Sequence, residues 1–309
     1  MVVEKEGTFE AEGKTLYTKS WLPDDGATKA KVVFIHGYSD HVNRYNPFFR
    51  FLASRGIAVH GFDQRGWGRS VAAPADRGLT GPTSRVLADI AAFIKPHLPA
   101  AAGDPPVFVI GHSMGGQQAL TLACEPAYAD DVVRRVRGWL LESPFIGYPP
   151  ETRPGALKVF GARLVGRMLP LRQMLVQLPP ANLSRDAETV ASIAADELMH
   201  DTGTLEGLAG MIDRTAALSS GAVRPKGGAV RSLWVGHGTM DKATSFEASK
   251  RYVESYAGEV EDRQFKAYEG WYHQLHNDGP CSEEFFKDVA DWILERCGPE
   301  EVAKADSKL

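Results

Sequence analysis

The chain has 309 residues, of which 43% are hydrophobic, 24% charged and 9% aromatic. Those values sit near the averages of soluble globular proteins, and the length suits one large α/β domain with an insertion, or two domains. With 35 Lys and Arg against 39 Asp and Glu, the net charge of −4 leaves no basic footprint, so nucleic acid is excluded as the expected partner.

Cys124, Cys281 and Cys297 are odd in number and lack CxxC spacing, which argues against a secreted disulfide framework and for a reducing compartment. The N-terminal MVVEKEGTFEAEG carries acidic residues and no apolar stretch, so it does not read as a signal peptide. Residues 105–124 carry no charged residue, but the run contains His112, Ser113, two glutamines and several glycines. It reads as a buried strand entering a helix, and no membrane span is expected. The sequence ends in Ser307, Lys308 and Leu309, a tripeptide read as a peroxisomal address after a polar segment. The expected localisation is therefore the peroxisome, reached through its import receptor, and otherwise the cytoplasm.

In chain order, TFEAEG and TLYTKSWLP alternate and predict an antiparallel hairpin at a sheet edge. Six short runs follow: KVVFIHG (31–37), GIAVHGFD (56–63), PPVFVIGHS (105–113), VRGWLLESP (136–144), VRSLWVGHG (230–238) and RQFKAYEG (263–270). All are β-branched or aromatic and stop at glycine or polar residues, as strands do. Helical spacing fills about 45–55, 84–98, 114–124, 246–256 and 282–297. This alternation predicts an α/β fold with a mostly parallel sheet and helices on both faces.

Between about 143 and 222 the alternation breaks, with no convincing strand, prolines at 149, 150, 154, 170, 179 and 180 among others, and helical patterns. Nearly eighty such residues are too many for a connecting loop, so a helical cap is expected above the sheet. The expected organisation is a core first part at 1–143, a cap or lid at 144–222, and a core second part with its tail at 223–309. In the cap, Leu157, Phe160, Leu164, Val165 and Met168 recur at helical spacing among Lys158, Arg163 and Arg167. Core packing is the favoured reading of that stripe, and a lid contacting lipid surfaces is the other.

Gly111, His112, Ser113, Met114 and Gly115 fit G-x-S-x-G, after the strand VFVI and before a helical segment. A tight strand-to-helix turn of this kind exposes a serine hydroxyl at the end of a sheet, and small neighbours let strand and helix approach. A serine hydroxyl needs a base, and the base needs an orienting carboxylate. Asp241 follows the strand ending in GHGTMD, and His273 follows the strand ending in YEGWYH, so all three fall on loops at one sheet edge. Glu142 is the alternative acid, His276 reads as a solvated loop residue, and His237 as structural. Oxyanion donors are expected from the Met114 and Tyr38 N–H groups. Gly37 would let the backbone approach the substrate, and His36 would pack beneath that loop.

FIHGYSDHVNRY, DQRGWGRS (63–70), GHSMGG, ESP, GHGTMD and YEGWYH stand in the order found in α/β-hydrolases. Over about three quarters of its length the chain resembles monoacylglycerol lipases, a serine aminopeptidase S33-like and lysophospholipase-like group. The resemblance implies carboxylic ester hydrolysis through an acyl-serine intermediate, an acyl ester or other lipid-like substrate, and no metal or organic cofactor. The sequence departs from that pattern at Tyr38, Asp40 and Trp271, positions that bear on acyl-chain and leaving-group preference. Two alternatives stand beside ester hydrolysis. One is a peroxisomal thioesterase, lactone hydrolase or acyltransferase using the same triad, and the other a catalytically silent ligand-binding protein. Dehalogenase and epoxide hydrolase chemistry is disfavoured, because those relatives carry aspartate at the position of Ser113.

Overall fold

The computed structural model describes residues 2–24, 26–153 and 155–298. The tripeptide Ser307, Lys308 and Leu309 lies outside the described residues. The chain opens with strands β1 (Val2–Ala11) and β2 (Lys14–Pro23), paired antiparallel across Glu12 and Gly13, both at positive φ. That is the backbone geometry a two-residue hairpin turn demands. There follow β3 (Ala30–Ile35), helix α1 (Asn46–Ser54), β4 (Ile57–Phe62), α2 (Thr83–Ile94), β5 (Val107–His112), α3 (Met114–Ala123) and β6 (Gly138–Glu142). Next come α4 (Ala156–Met168), β7 (Gln173–Leu175), α5 (Ala187–Ala194), β8 (Thr202–Thr204) and α6 (Leu205–Ser219). The chain then returns through β9 (Ser232–Gly238), α7 (Phe246–Arg251), β10 (Asp262–Tyr268) and α8 (Ser282–Glu295).

Eight strands form one sheet in the order β1-β2-β4-β3-β5-β6-β9-β10. All neighbours from β4 to β10 run parallel, and the hairpin joins antiparallel through β2, at the edge the sequence predicts. The central strands alternate between two apolar layers. Val33, Ile35, Val107 and Val109 point into one with residues of α2 and α3, while Phe34, Phe108 and Ile110 point into the other with α1 and α8. Burial on both faces explains why these strands read as continuous apolar runs. Ser113, Asp241 and His273 follow β5, β9 and β10 at the C-terminal end of this parallel sheet.

Two readings are corrected between β6 and β9. The region expected to hold no strand contains β7 and β8, which pair antiparallel in register Gln173–Thr204 to Leu175–Thr202. Three-residue strands are too short to impose an alternating pattern on a sequence. The second correction concerns the α4 stripe. Leu164, Val165 and Met168 are 51%, 44% and 72% exposed, so they do not pack into the core. The physical reason is that α4 rests on α6 through Gly166, whose missing side chain lets it approach Leu205 and Ala209 and turns these three residues outward; the Leu157 and Phe160 side chains lie outside those described. Exposed Leu169, Leu171, Met174 and Leu175 continue the same apolar surface.

Candidate active site

Ser113 sits between β5 and α3 at φ 54° and ψ −116°, a sparsely populated conformation for a residue with a side chain. Three bonds fix the turn: Ser113 N–H donates to the Glu142 carbonyl at 2.9 Å, and its own carbonyl accepts from Phe145 N–H at 2.9 Å and Gln117 N–H at 3.0 Å. The glycines of the motif are close-approach positions. A Cβ on Gly115 would lie 2.1 Å from the Ile35 carbonyl oxygen, and one on Gly111 would lie 2.5 Å from the Gly115 oxygen. The strained turn and its glycines therefore belong to one packing solution, which drives α3 against the ends of β3 and β5.

Asp241 and His273 meet directly. His273 Nδ1 lies 2.7 Å from Asp241 Oδ2, and both side chains are buried. The same oxygen accepts from Thr244 Oγ1 at 2.8 Å and faces His237 Nε2 at 3.0 Å. Oδ1 accepts from the N–H groups of Ala243 at 2.7 Å and Thr244 at 3.0 Å. Burial alone would raise the Asp241 carboxyl, but His273 and His237 hold it far below the usual carboxylate range. An ionised carboxylate on Nδ1 orients the ring and leaves Nε2 for the reacting side. The His273 ring is 4.8 Å, centroid to centroid, from the ring of His112, the residue preceding Ser113.

Ser113 opens into a cavity of about 290 Å³ that Tyr38, Met114 and Thr244 also line. Its remaining wall is mostly apolar, with Phe145, Tyr148, Val176, Leu178, Pro179 and Leu183. Met114 is the first residue of α3, so its N–H has no acceptor within the helix and stands as a free donor beside Ser113. Tyr38 stands on the loop after β3, its hydroxyl donating to the Asp201 carbonyl at 3.0 Å. A Cβ on Gly37 would come within 3.2 Å of His112 and 3.4 Å of Ser113 Cβ, so glycine brings that loop close to the serine.

The sequence profile of the serine aminopeptidase S33 family matches residues 26–280. The chain is an α/β-hydrolase of that family. A Schizosaccharomyces pombe relative of this hydrolase is 33% identical over 298 residues, covering 95% of this chain and 75% of its own length. The monoacylglycerol lipase of Mycolicibacterium smegmatis is 29% identical, with 89% of this chain and 91% of the relative covered. In fold, the hydrolase is similar to a soluble variant of Saccharomyces cerevisiae monoglyceride lipase solved with a substrate analog. The TM-score is 0.84 at 20% identity, over 96% of each chain.

Around this centre the hydrolase places its other histidines in distinct jobs. His36 is fully buried beneath the loop after β3. Its Nδ1 bonds the Gly37 carbonyl at 2.8 Å and its Nε2 accepts from Gln64 N–H at 2.8 Å, and burial holds it neutral. The 63–70 motif braces the same loop, since Asp63 accepts from Val42 N–H at 2.9 Å and Arg69 N–H at 2.8 Å. His237 belongs to the Asp241 cluster, with Thr244 as a shared partner.

His276 is not the solvated loop residue its sequence suggests. It is 3% exposed, and its Nδ1 lies 2.7 Å from Glu142 Oε1. The loop after β10 folds inward under the sheet edge, so a histidine three positions past His273 lands beneath it. Glu142 thus bonds His276, while His273 bonds Asp241. His112, Glu142 and His276 are also the described group whose ligand atoms lie within 4.8 Å of one another, close enough to hold a cation.

Thr244 and the 176–179 wall escaped sequence reasoning. Thr244 has no motif of its own, and only its short spacing after Asp241 hints at a turn that caps a carboxylate. The wall residues come from a segment whose path depends on the β7–β8 pairing.

Proposed function

We propose that this hydrolase cleaves carboxylic esters of apolar acyl chains, monoacylglycerols among them, with Ser113, His273 and Asp241 as its triad. The observation that carries this reading is the buried Asp241–His273 pair, with the His273 ring 4.8 Å from that of His112 next to Ser113, while Ser113 itself lines a mostly apolar cavity. The names of the monoacylglycerol lipase relatives support the substrate class. Ser113 Oγ attacks the ester carbonyl as His273 Nε2 takes its proton, and the Met114 and Tyr38 N–H groups bind the developing oxyanion. Collapse expels the alcohol, which leaves with the proton from His273, and an acyl-serine ester remains. Water then attacks that ester by the same route, releasing the carboxylic acid and restoring Ser113. An apolar wall receives an acyl chain by burying it from water, at about 0.8 kcal/mol per CH₂.

Residues 144–222 act in this reading as the cap over the acyl chain. The exposed apolar surface of α4 and β7 continues in sequence into the 176–179 wall, and Arg163, Arg167 and Arg172 border it. That juxtaposition suits contact with a lipid surface from which the substrate enters. The deciding experiment measures monoacylglycerol and p-nitrophenyl ester turnover, and fluorophosphonate labelling, by the wild type and Ser113→Ala. Loss of both in a folded variant is expected. Turnover retained by Ser113→Ala would sink the reading.

A further inference from the structure

Beneath the proposed triad lies a second buried acid–histidine pair that the reaction does not use. Glu142 ends β6, and its carboxylate is wholly buried. Oε1 accepts two hydrogen bonds from one residue, the backbone N–H of His276 at 3.0 Å and its Nδ1 at 2.7 Å. The main-chain carbonyl of Glu142 accepts the Ser113 N–H at 2.9 Å. One residue thus holds the strained serine turn through its backbone and the histidine loop through its side chain. Oε2 faces His112 Nδ1 at 3.5 Å, from the residue preceding Ser113. His276 in turn packs on Tyr45, ring centroids 4.2 Å apart, and the Tyr45 hydroxyl donates to Asp40 on the loop that carries Gly37 and Tyr38. The serine turn, the histidine loop and the oxyanion loop are therefore joined through a single buried chain of contacts.

We propose that Glu142 is a positioning residue, which fixes Ser113 and the His273 loop against each other through His276. The proposal rests on the triad reading above, but not on the identity of the ester. Serine and histidine must hold their separation to a fraction of an ångström, and neither the Ser113 turn nor the loop after β10 is a regular element able to do so alone. A buried carboxylate suits the task because it accepts several N–H bonds at once, each stronger than a neutral one. Burial would raise the Glu142 carboxyl, but His276 and His112 outweigh it and keep the group ionised. Glu142 touches neither the cavity nor the reacting atoms, so its effect passes through the residues it holds.

The test uses the full-length chain with Glu142→Ala, Glu142→Gln and His276→Phe, measuring kcat, KM, melting temperature and the rate of fluorophosphonate labelling at Ser113. Glutamine keeps an oxygen for the two His276 donors. Phenylalanine keeps the packing on Tyr45 and the backbone bond but removes the Nδ1 bond. Expected in the folded variants are a kcat loss of about 100-fold for alanine and about 10-fold for phenylalanine, with KM within about twofold. Glutamine should restore most of the alanine loss. Labelling rates should fall in parallel with kcat. Wild-type kcat and labelling in His276→Phe or folded Glu142→Ala would overturn the proposal. So would a loss carried by KM, or one that merely follows the folded fraction. A wild type that labels at Ser113 yet hydrolyses no ester would refute the substrate reading alone, because the labelling rates still test Glu142.

Discussion

Replacing Asp241 by asparagine isolates the orienting charge with little change of shape. The buried carboxylate receives two backbone N–H bonds on Oδ1, from Ala243 and Thr244. An amide NH₂ cannot occupy that position, because neither partner can accept a hydrogen bond. It must therefore take the place of Oδ2, 2.7 Å from His273 Nδ1. There it donates to Nδ1, and the His273 proton moves to Nε2. The base lone pair then faces the asparagine, and Ser113 meets an N–H instead of an acceptor. A triad asparagine that imposes the wrong tautomer costs about 10⁴-fold in kcat, or about 5 kcal/mol of transition-state stabilisation. Steady-state hydrolysis of a p-nitrophenyl ester by folded Asp241→Asn, with melting temperature as the control, measures it. Because His237 and Thr244 also bond Oδ2, a modest loss of stability is expected alongside. A folded variant that keeps more than a tenth of wild-type kcat would refute the assignment of Asp241 to His273.

Gly115→Ala should place a Cβ 2.1 Å from the Ile35 carbonyl oxygen and 2.5 Å from that of His36, costing about 3 kcal/mol of stability. Chemical denaturation reads this, and an unchanged midpoint would mean α3 can move freely from β3. His97 stacks on His60, and burial with Lys31 nearby pushes His97 down to about 4 from an ordinary 6.5. The unfolded chain therefore binds a proton below pH 6.5 that the folded chain refuses down to about pH 4, so stability falls as pH drops through that window. His97→Phe should remove about 2 kcal/mol of the stability lost between pH 7 and 5, measured by guanidinium unfolding. Equal losses in variant and wild type would contradict it. Serine at Met168, Leu171 and Leu175 should weaken sedimentation with phospholipid vesicles about tenfold while sparing turnover of a short soluble ester. Undiminished sedimentation would remove the lipid-surface reading. A fluorescent fusion of the full chain should concentrate in peroxisomes and disperse once Ser307, Lys308 and Leu309 are deleted, and an unchanged distribution would make the tripeptide incidental.

Much of the framework was legible because its signals are local. Strands buried on both faces must be apolar throughout, so VFVI and KVVFI announce themselves, and a turn as tight as that at Ser113 demands glycines at fixed spacing. Asp241 and His273 were legible for a related reason, since each closes a strand-ending motif at the edge where a parallel sheet gathers its loops. The fates of Glu142, His276 and the α4 stripe were not legible. A carboxylate at the end of one strand and a histidine on a loop well over a hundred residues later carry no shared periodicity. Only folding sets His276 Nδ1 2.7 Å from Glu142 and leaves Asp241 to His273. An amphipathic stripe likewise records that a helix has an apolar face, but not what covers it. Gly166 against α6 decided that Leu164, Val165 and Met168 face outward. The amino-acid order alone determined the sheet, the serine turn and the identity of the proposed catalytic groups, because each is written in neighbouring residues. Tertiary structure decided which carboxylate serves which histidine and where the cavity wall lies, because those depend on contacts between segments distant in the chain.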